Sequence, residues 1–173
     1  NGQDLTDLND KQMQDIRGNK IGMIFQDPQT SLNPLMTIGS QLTETINKTT
    51  QLFGNAAYKK AVELLKSVGI EKPELRLKSY PHQFSGGMRQ RVVISLALAG
   101  NPDLIIADEP TTALDVSIQA QILDLIKKLC LDRKLGVIII THDIGVIASI
   151  ANQVAVMYSG KILENGNVKQ ILN

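Results

Sequence analysis

Apolar and polar positions follow two rhythms along this chain. Short unbroken apolar runs at Ile21–Phe25 and Leu104–Ala107, and the β-branched run Val137–Ile140, are too short for helices and are bounded by Gly, Pro or Asp; each predicts a buried strand. Val137–Ile140 is uniform enough to predict a central strand, covered on both faces. Helical spacing fills the intervals. Ala61, Leu64, Leu65 and Val68 recur at i, i+3, i+4 and i+7, with Asn55 placed to cap their helix and Gly69 just past its end. Ile118, Ile122, Leu125, Ile126 and Leu129 share one face of a longer helix, with Ser117 as its expected cap and Gly136 closing it. The apolar run Val92–Ala99 follows Ser85-Gly86-Gly87 and ends at Gly100, and a short helix near Asp10–Ile16 precedes the first strand. From Ser31-Leu32-Asn33-Pro34 to Gln83 only helical spacing appears, broken late by Pro73 and Pro81, with Tyr80–Gln83 as a loop. Val154–Met157 and Lys161–Glu164 predict a hairpin through Ser159-Gly160, its second strand ended by Asn165-Gly166. Alternating strands and amphipathic helices imply an α/β fold with a parallel sheet covered on both faces.

In such a sheet Gln26, Asp108, Glu109 and His142 stand at C-terminal strand ends, where open α/β sheets hold ligands. A carboxylate pair there suits phosphoryl chemistry: Asp108 can hold Mg²⁺, mostly through water, and Glu109 can polarise an attacking water. His142 can orient a terminal phosphate or sense its charge. Ser85-Gly86-Gly87 opens a helix whose first N–H groups suit an anion, and the glycines admit a phosphate close to the backbone. Plainer readings remain open at this level. Tandem acids can be a solvated strand end, Gln26 can cap loop carbonyls, and His82 can be a loop hydrogen-bonder. Cys130, beside an apolar helix face, reads as a small buried thiol.

Composition narrows these choices. With 173 residues, 43% hydrophobic and 20% charged, the chain suits one globular domain with a core. A net charge of +1 without a Lys/Arg block argues against a nucleic-acid partner. One cysteine excludes an intrachain disulfide and fits a reducing compartment. No apolar run approaches the roughly 18 residues of a membrane span, so a membrane link is expected to run through a partner. The chain opens at Asn1-Gly2 without Met, and is expected to be a piece of a longer protein.

Phe84-Ser85-Gly86-Gly87-Met88 resembles the signature loop of ABC-type ATPases, Leu104–Glu109 their Walker B strand with its catalytic acid, and Ala113-Leu114-Asp115 their D-loop. Gln26 matches the Q-loop glutamine and His142 the switch histidine, all in the family's order. The wording from Ile24 to Pro34, together with Gln83–Arg91, is similar to ATP-binding subunits of oligopeptide, dipeptide and nickel importers of bacterial inner membranes. Phe84 and Met88 depart from the broader family's leucine and glutamine and suit this subgroup.

The resemblance implies a P-loop NTPase (RecA-like) ABC ATPase core, incomplete at its N-terminus, with an inserted α-helical subdomain. Residues 1–173 would form one partial domain: a core lobe with the Q-loop at 1–33, the helical subdomain with the signature helix at 34–100, and a core lobe with Walker B, D-loop and switch histidine at 101–173. ATP and Mg²⁺ are the implied cofactors. Ser85, Gly86 and Gly87 would bind the γ-phosphate of an ATP held mainly by a second ATPase subunit, identical or paralogous. Glu109 would activate the hydrolytic water, Asp108 and Gln26 would serve Mg²⁺, His142 would contact the γ-phosphate, and Asp115 would link the two sites. Gln26 would also couple nucleotide state to transmembrane permease subunits docking near Pro28–Leu52, with an extracytoplasmic binding protein as an indirect partner. The implied place is the cytoplasmic face of the bacterial inner membrane. Two other readings stand beside it: a non-transport ABC ATPase, and a catalytically silent module lending only its signature face to a partner's ATP.

No Gly-x-x-x-x-Gly-Lys-Ser/Thr occurs, and Gly160-Lys161 precedes Ile162 in a hairpin. By resemblance the missing phosphate-loop strand lies between Val137–Thr141 and Val154–Met157. The chain alone is therefore expected to hydrolyse ATP negligibly and to bare sheet edges and apolar surface.

Overall fold

The computed structural model describes residues 4–112 and 114–172, and Ala113 of the D-loop match lies outside them. A first compact unit extends to Ile139 and a second begins at Ile140. In the first, α1 (Asp10–Ile16) is capped by Asn9, whose side chain accepts from the Gln12 N–H while Gln12 reaches back to the Asn9 N–H. Strand β1 (Ile21–Ile24) pairs in parallel with β2 (Leu104–Asp108), with Ile21 opposite Leu104 and Ile24 opposite Ala107. β3 (Gly136–Ile140) completes a three-stranded sheet in the order β1-β2-β3.

The link from β1 to β2 is helical, as the spacing predicts. It contains α2 (Pro28–Ser31), α3 (Ile38–Thr50), α4 (Gly54–Ser67), α5 (Pro73–Arg76), a 3-10 turn at Pro81–Gln83 and α6 (Gly86–Ala97). α3 buries Ile38, Leu42 and Ile46, and the adjoining α4 buries Ala57, Ala61, Leu64 and Leu65, with Val68 beyond. Asn55 does not cap α4. The cap position is Phe53, without a side-chain bond, because Gly54 at φ +56° makes the turn into the helix and leaves Asn55 already inside it. Gly69 ends the segment at φ +75°, its N–H donating to the Lys66 carbonyl at 3.0 Å.

α7 (Val116–Arg133) buries Ile122, Leu123, Ile126 and Leu129. Its cap is Asp115 and not Ser117, since Asp115 Oδ1 accepts from the Ile118 N–H at 3.0 Å. Lys134, at φ +53°, makes the left-handed exit expected of Gly136, which instead opens β3. α6 lies so close on β1 that a Cβ at Gly22 would overlap the Ala97 carbonyl oxygen. Ile24, Ile105 and Val137 of the sheet line a small apolar void with Ile94 of α6 and Ile126 and Leu129 of α7, so both helices cover one sheet face.

The other face corrects the expectation of burial on both sides. Met23 is 41% exposed, Ile138 51% and Ile140 50%, and β3 sits at the sheet edge instead of its centre. β1 likewise alternates and is not fully buried. A continuous apolar run cannot tell a strand covered twice from one covered once.

In the second unit, Asp143 caps α8 (Ile144–Ile150) through bonds from the Gly145 and Val146 N–H groups. β4 (Gln153–Tyr158) pairs antiparallel with β5 (Lys161–Asn167), and α9 (Val168–Ile171) follows. Ser159 and Gly160, at φ +47° and +76°, make the tight hairpin turn foreseen for them. β5 runs through Asn165-Gly166 and ends at Asn167, past the predicted stop.

Candidate functional site

The parallel register fixes the first contact of the site. With Ile24 opposite Ala107, counting two residues along each chain sets Gln26 beside Glu109. Their side chains meet there: Gln26 Nε2 donates to Glu109 Oε2 at 2.8 Å. The Thr112 hydroxyl donates to the same oxygen at 3.0 Å. Asp27 and Pro28 start α2 immediately after Gln26, with Asp27 Oδ1 accepting from the Gln29 N–H, so the strand end is held by a cap. Asp108 is the last residue of β2 and is half-buried.

Glu109 stands at φ +43°, a left-handed conformation that costs a non-glycine residue on the order of 1 kcal/mol or more unless its surroundings enforce it. The Thr112 N–H donates to the Glu109 carbonyl at 3.3 Å, and Gln90 Nε2 donates to the neighbouring Pro110 carbonyl at 2.7 Å. The chain is thus gripped at the acid's own carbonyl and at the next one along.

Ser85 caps α6, its Oγ accepting from the Met88 N–H at 3.3 Å, and both Ser85 and Gly86 are exposed. The two glycines differ. A Cβ at Gly86 would make ordinary contact with Leu114, at 3.5 Å, whereas one at Gly87 would press on Ile118 Cγ2 at 2.7 Å. Gly86 leaves the helix start open, and Gly87 lets α7 approach α6. The structure thereby sets Leu114 and the Asp115 cap beside Ser85–Gly87 in the same chain.

His142 belongs to the second unit; it is exposed, two residues past Ile140 and just before the Asp143 cap. His82 stacks on Tyr80 with ring centroids 5.8 Å apart. Cys130 is half-buried, and burial pushes its thiol above the ordinary range. Thr112 and Gln90 were not singled out from the sequence. Thr112 lies three residues past Glu109, the spacing at which a turn hydroxyl reaches back, and Gln90 lies between Arg89 and Arg91 just before the apolar run of α6, yet at a position 1% exposed. Neither signal is specific without the turn geometry.

The donor set fits a nucleotide with Mg²⁺. The exposed start of α6 presents N–H groups to an anion, since Ser85 Oγ occupies only the Met88 N–H. Gln26 gives its Nε2 to Glu109, which leaves Oε1 as the atom to face a cation. Among the described residues no group of three or more His, Cys, Asp or Glu could hold a metal. Mg²⁺ asks for less, one or two protein ligands with phosphate and water completing the shell, and the Asp108 carboxylate at the end of β2 and Gln26 Oε1 are oxygens of the type it takes.

Comparison with known proteins gives a consistent picture. A family described as ABC transporter matches residues 1–112. The chain is 59% identical to the oligopeptide transport ATP-binding protein OppD of Bacillus subtilis over 98% of its own length and 48% of that protein's. It is 56% identical to the dipeptide transport ATP-binding protein DppD of the same organism, over 97% of this chain and 50% of the relative. Among solved structures, the dimeric post-hydrolysis state of the ATP-binding cassette MJ0796 bound to ADP and Pi superposes with a TM-score of 0.78 at 35% identity, covering 94% of this chain and 68% of that one. The chain spans about half the length of the curated relatives it matches.

Proposed function

From the premise that this chain belongs to the ABC transporter family of ATP-binding proteins and has the P-loop NTPase fold of its cassettes, we propose that it is part of an ATP-hydrolysing subunit of a peptide importer at the cytoplasmic face of a bacterial inner membrane. The peptide substrate class rests on the printed names of the relatives, which are oligopeptide and dipeptide systems. Nickel has no such support. No helix among the described residues is long and apolar enough to cross a membrane, and we assign the membrane-spanning role to permease partners.

The observation that carries the hydrolytic reading is the Gln26–Glu109 hydrogen bond at two parallel strand ends. Bound ATP with Mg²⁺ supplies the phosphoryl electrophile. Glu109, as a carboxylate, takes a proton from the attacking water, and its bonds from Gln26 and Thr112 aim it. Asp108 and Gln26 Oε1 would hold the cation. Ser85, Gly86 and Gly87 receive the γ-phosphate of a nucleotide held mainly by a second ATPase subunit, and Asp115, capping α7 beside them, links the two sites. His142 is assigned to the γ-phosphate on the motif match. In this reading residues 1–33 and 101–173 form the core lobe and 34–100 the helical subdomain, with residues 28–52 facing the permease.

The test is hydrolysis by the full-length protein assembled with its permease. Glu109→Gln should lower kcat about 10²- to 10⁴-fold, the range for a lost general base, while ATP still binds. A variant that hydrolyses at the native rate would overturn the assignment. The 173-residue chain alone, which holds no phosphate-loop motif, should show only background hydrolysis.

A further inference from the structure

We propose that Gln90 is a positioning residue: by donating to the Pro110 carbonyl, it ties the signature helix α6 to the turn that holds Glu109 in its left-handed conformation. This rests on the hydrolytic reading of Glu109 above, and adds to it a residue to which that reading gave no role.

Gln90 is 1% exposed, and its Nε2 lies 2.7 Å from the Pro110 oxygen. The amide orientation is set by chemistry, because exchanging its O and N would bring two acceptors together. The other end, Oε1, is buried with no donor among the described residues. A side chain kept in the core with one end unsatisfied is costly for stability alone, and a residue of similar volume without polar atoms would avoid that cost. The bond it does make falls on the carbonyl next to the one strained residue of the site. Glu109 is at φ +43°, and Pro110 follows it with its own φ limited by its ring, so the bonded carbonyl is separated from Glu109 by one backbone torsion fewer than usual.

The placement of Gln90 on α6 gives the tie a direction. It lies four residues after Gly86, on the same helix face, and two points of the segment beyond β2 meet that face, Leu114 against Gly86 and Pro110 against Gln90. One helix thus carries the phosphate-facing start, Ser85–Gly87, and the grip on the acid. A shift of α6 on engagement of its start would reach Glu109 through a single hydrogen bond.

The experiment uses Gln90→Met in the full-length protein, which removes the donor and the unsatisfied acceptor at similar volume. Two readouts are taken. In the assembled transporter, kcat should fall about 10- to 100-fold with KM for ATP and melting temperature near the native values, as for a misaimed catalytic group. By amide hydrogen exchange, the Thr112 N–H, which donates to the Glu109 carbonyl, should exchange faster while the α3–α4 core is unchanged. Native exchange at Thr112 overturns the positioning role, as does a loss of kcat matched by a general loss of stability. If the unaltered transporter fails to hydrolyse ATP, the hydrolytic reading falls, and the exchange readout still decides the tie. Should Gln90→Met not fold, Gln90→Leu is measured in the same way, and failure of both to fold assigns Gln90 a structural role and overturns the proposal.

Discussion

Glu109 takes two of its hydrogen bonds from groups that do not depend on its charge. Both bonds to Oε2 come from donors, the Gln26 amide and the Thr112 hydroxyl, and a glutamine carbonyl at position 109 can accept them equally. Glu109→Gln keeps these two bonds, so it should melt within about 1 kcal/mol of the parent while losing hydrolysis. A large drop in melting temperature would show that the charge itself holds the turn. Cys130 gives a second residue-level prediction. Burial disfavours its thiolate, so at neutral pH the folded chain should react with iodoacetamide more slowly than the same chain in urea, with the difference shrinking as pH rises through the raised pKa. The stability linked to that shift is complete below the unfolded thiol's pKa and is lost at higher pH. Of the site, Gln26, Asp108 and Glu109 were legible from the sequence because strand ends and the family motifs mark them. Gln90 and Thr112 were not, because what makes them matter is a positive φ at Glu109 that no periodicity announces.

At the scale of elements, legibility depended on which residue solved a local backbone problem. The apolar faces of α4 and α7 are where the spacing puts them, since burial of a face is a sum over many residues. Their caps were misplaced, since a cap is one residue, and more than one nearby side chain could serve: Asp115 caps α7 two positions before Ser117, and Gly54 turns into α4 before Asn55. The Asp115 cap can be tested apart from its proposed cross-site role. Asp115→Ala should cost about 1 kcal/mol through the lost bond from the Ile118 N–H, a fall of about 2–4 °C for a chain of this size. Asp115→Asn keeps an accepting oxygen and should stay within a few tenths of a kcal/mol. If Asp115→Asn is nonetheless impaired in hydrolysis, the charge has a role that capping does not explain. The contact of α6 with β1 is less forgiving. A methyl at Gly22 meets the Ala97 backbone oxygen, which cannot rotate away, so Gly22→Ala should destabilise by about 1–3 kcal/mol or more in a thermal melt.

At the scale of the whole molecule, the three-stranded sheet has one face covered by α6 and α7, and its other face leaves Met23, Ile138 and Ile140 about half exposed. Val137 lines the covered void, and the alternation of a strand then turns Ile138 and Ile140 to the side that bears Met23 and its partner across the ladder, Ile106. Bare apolar strands with an open edge favour association, so the 173-residue chain should bind a hydrophobic dye and self-associate as its concentration rises. A monodisperse monomer with a sharp reversible melt would contradict this. The sequence pointed to this surface only through the family resemblance, because the run Val137–Ile140 by itself argued for burial on both sides. The two arguments meet in one substitution. In the isolated chain Ile138→Lys places a charge where Ile138 is 51% exposed, and should reduce association at little cost in stability. In a protein of the relatives' length, with further chain packed on that face, the same lysine would have to lose its water without a partner, and should cost about 3 kcal/mol or more. Equal effects in both contexts would mean that the face stays bare in the longer protein, and that β3 is an edge strand by design.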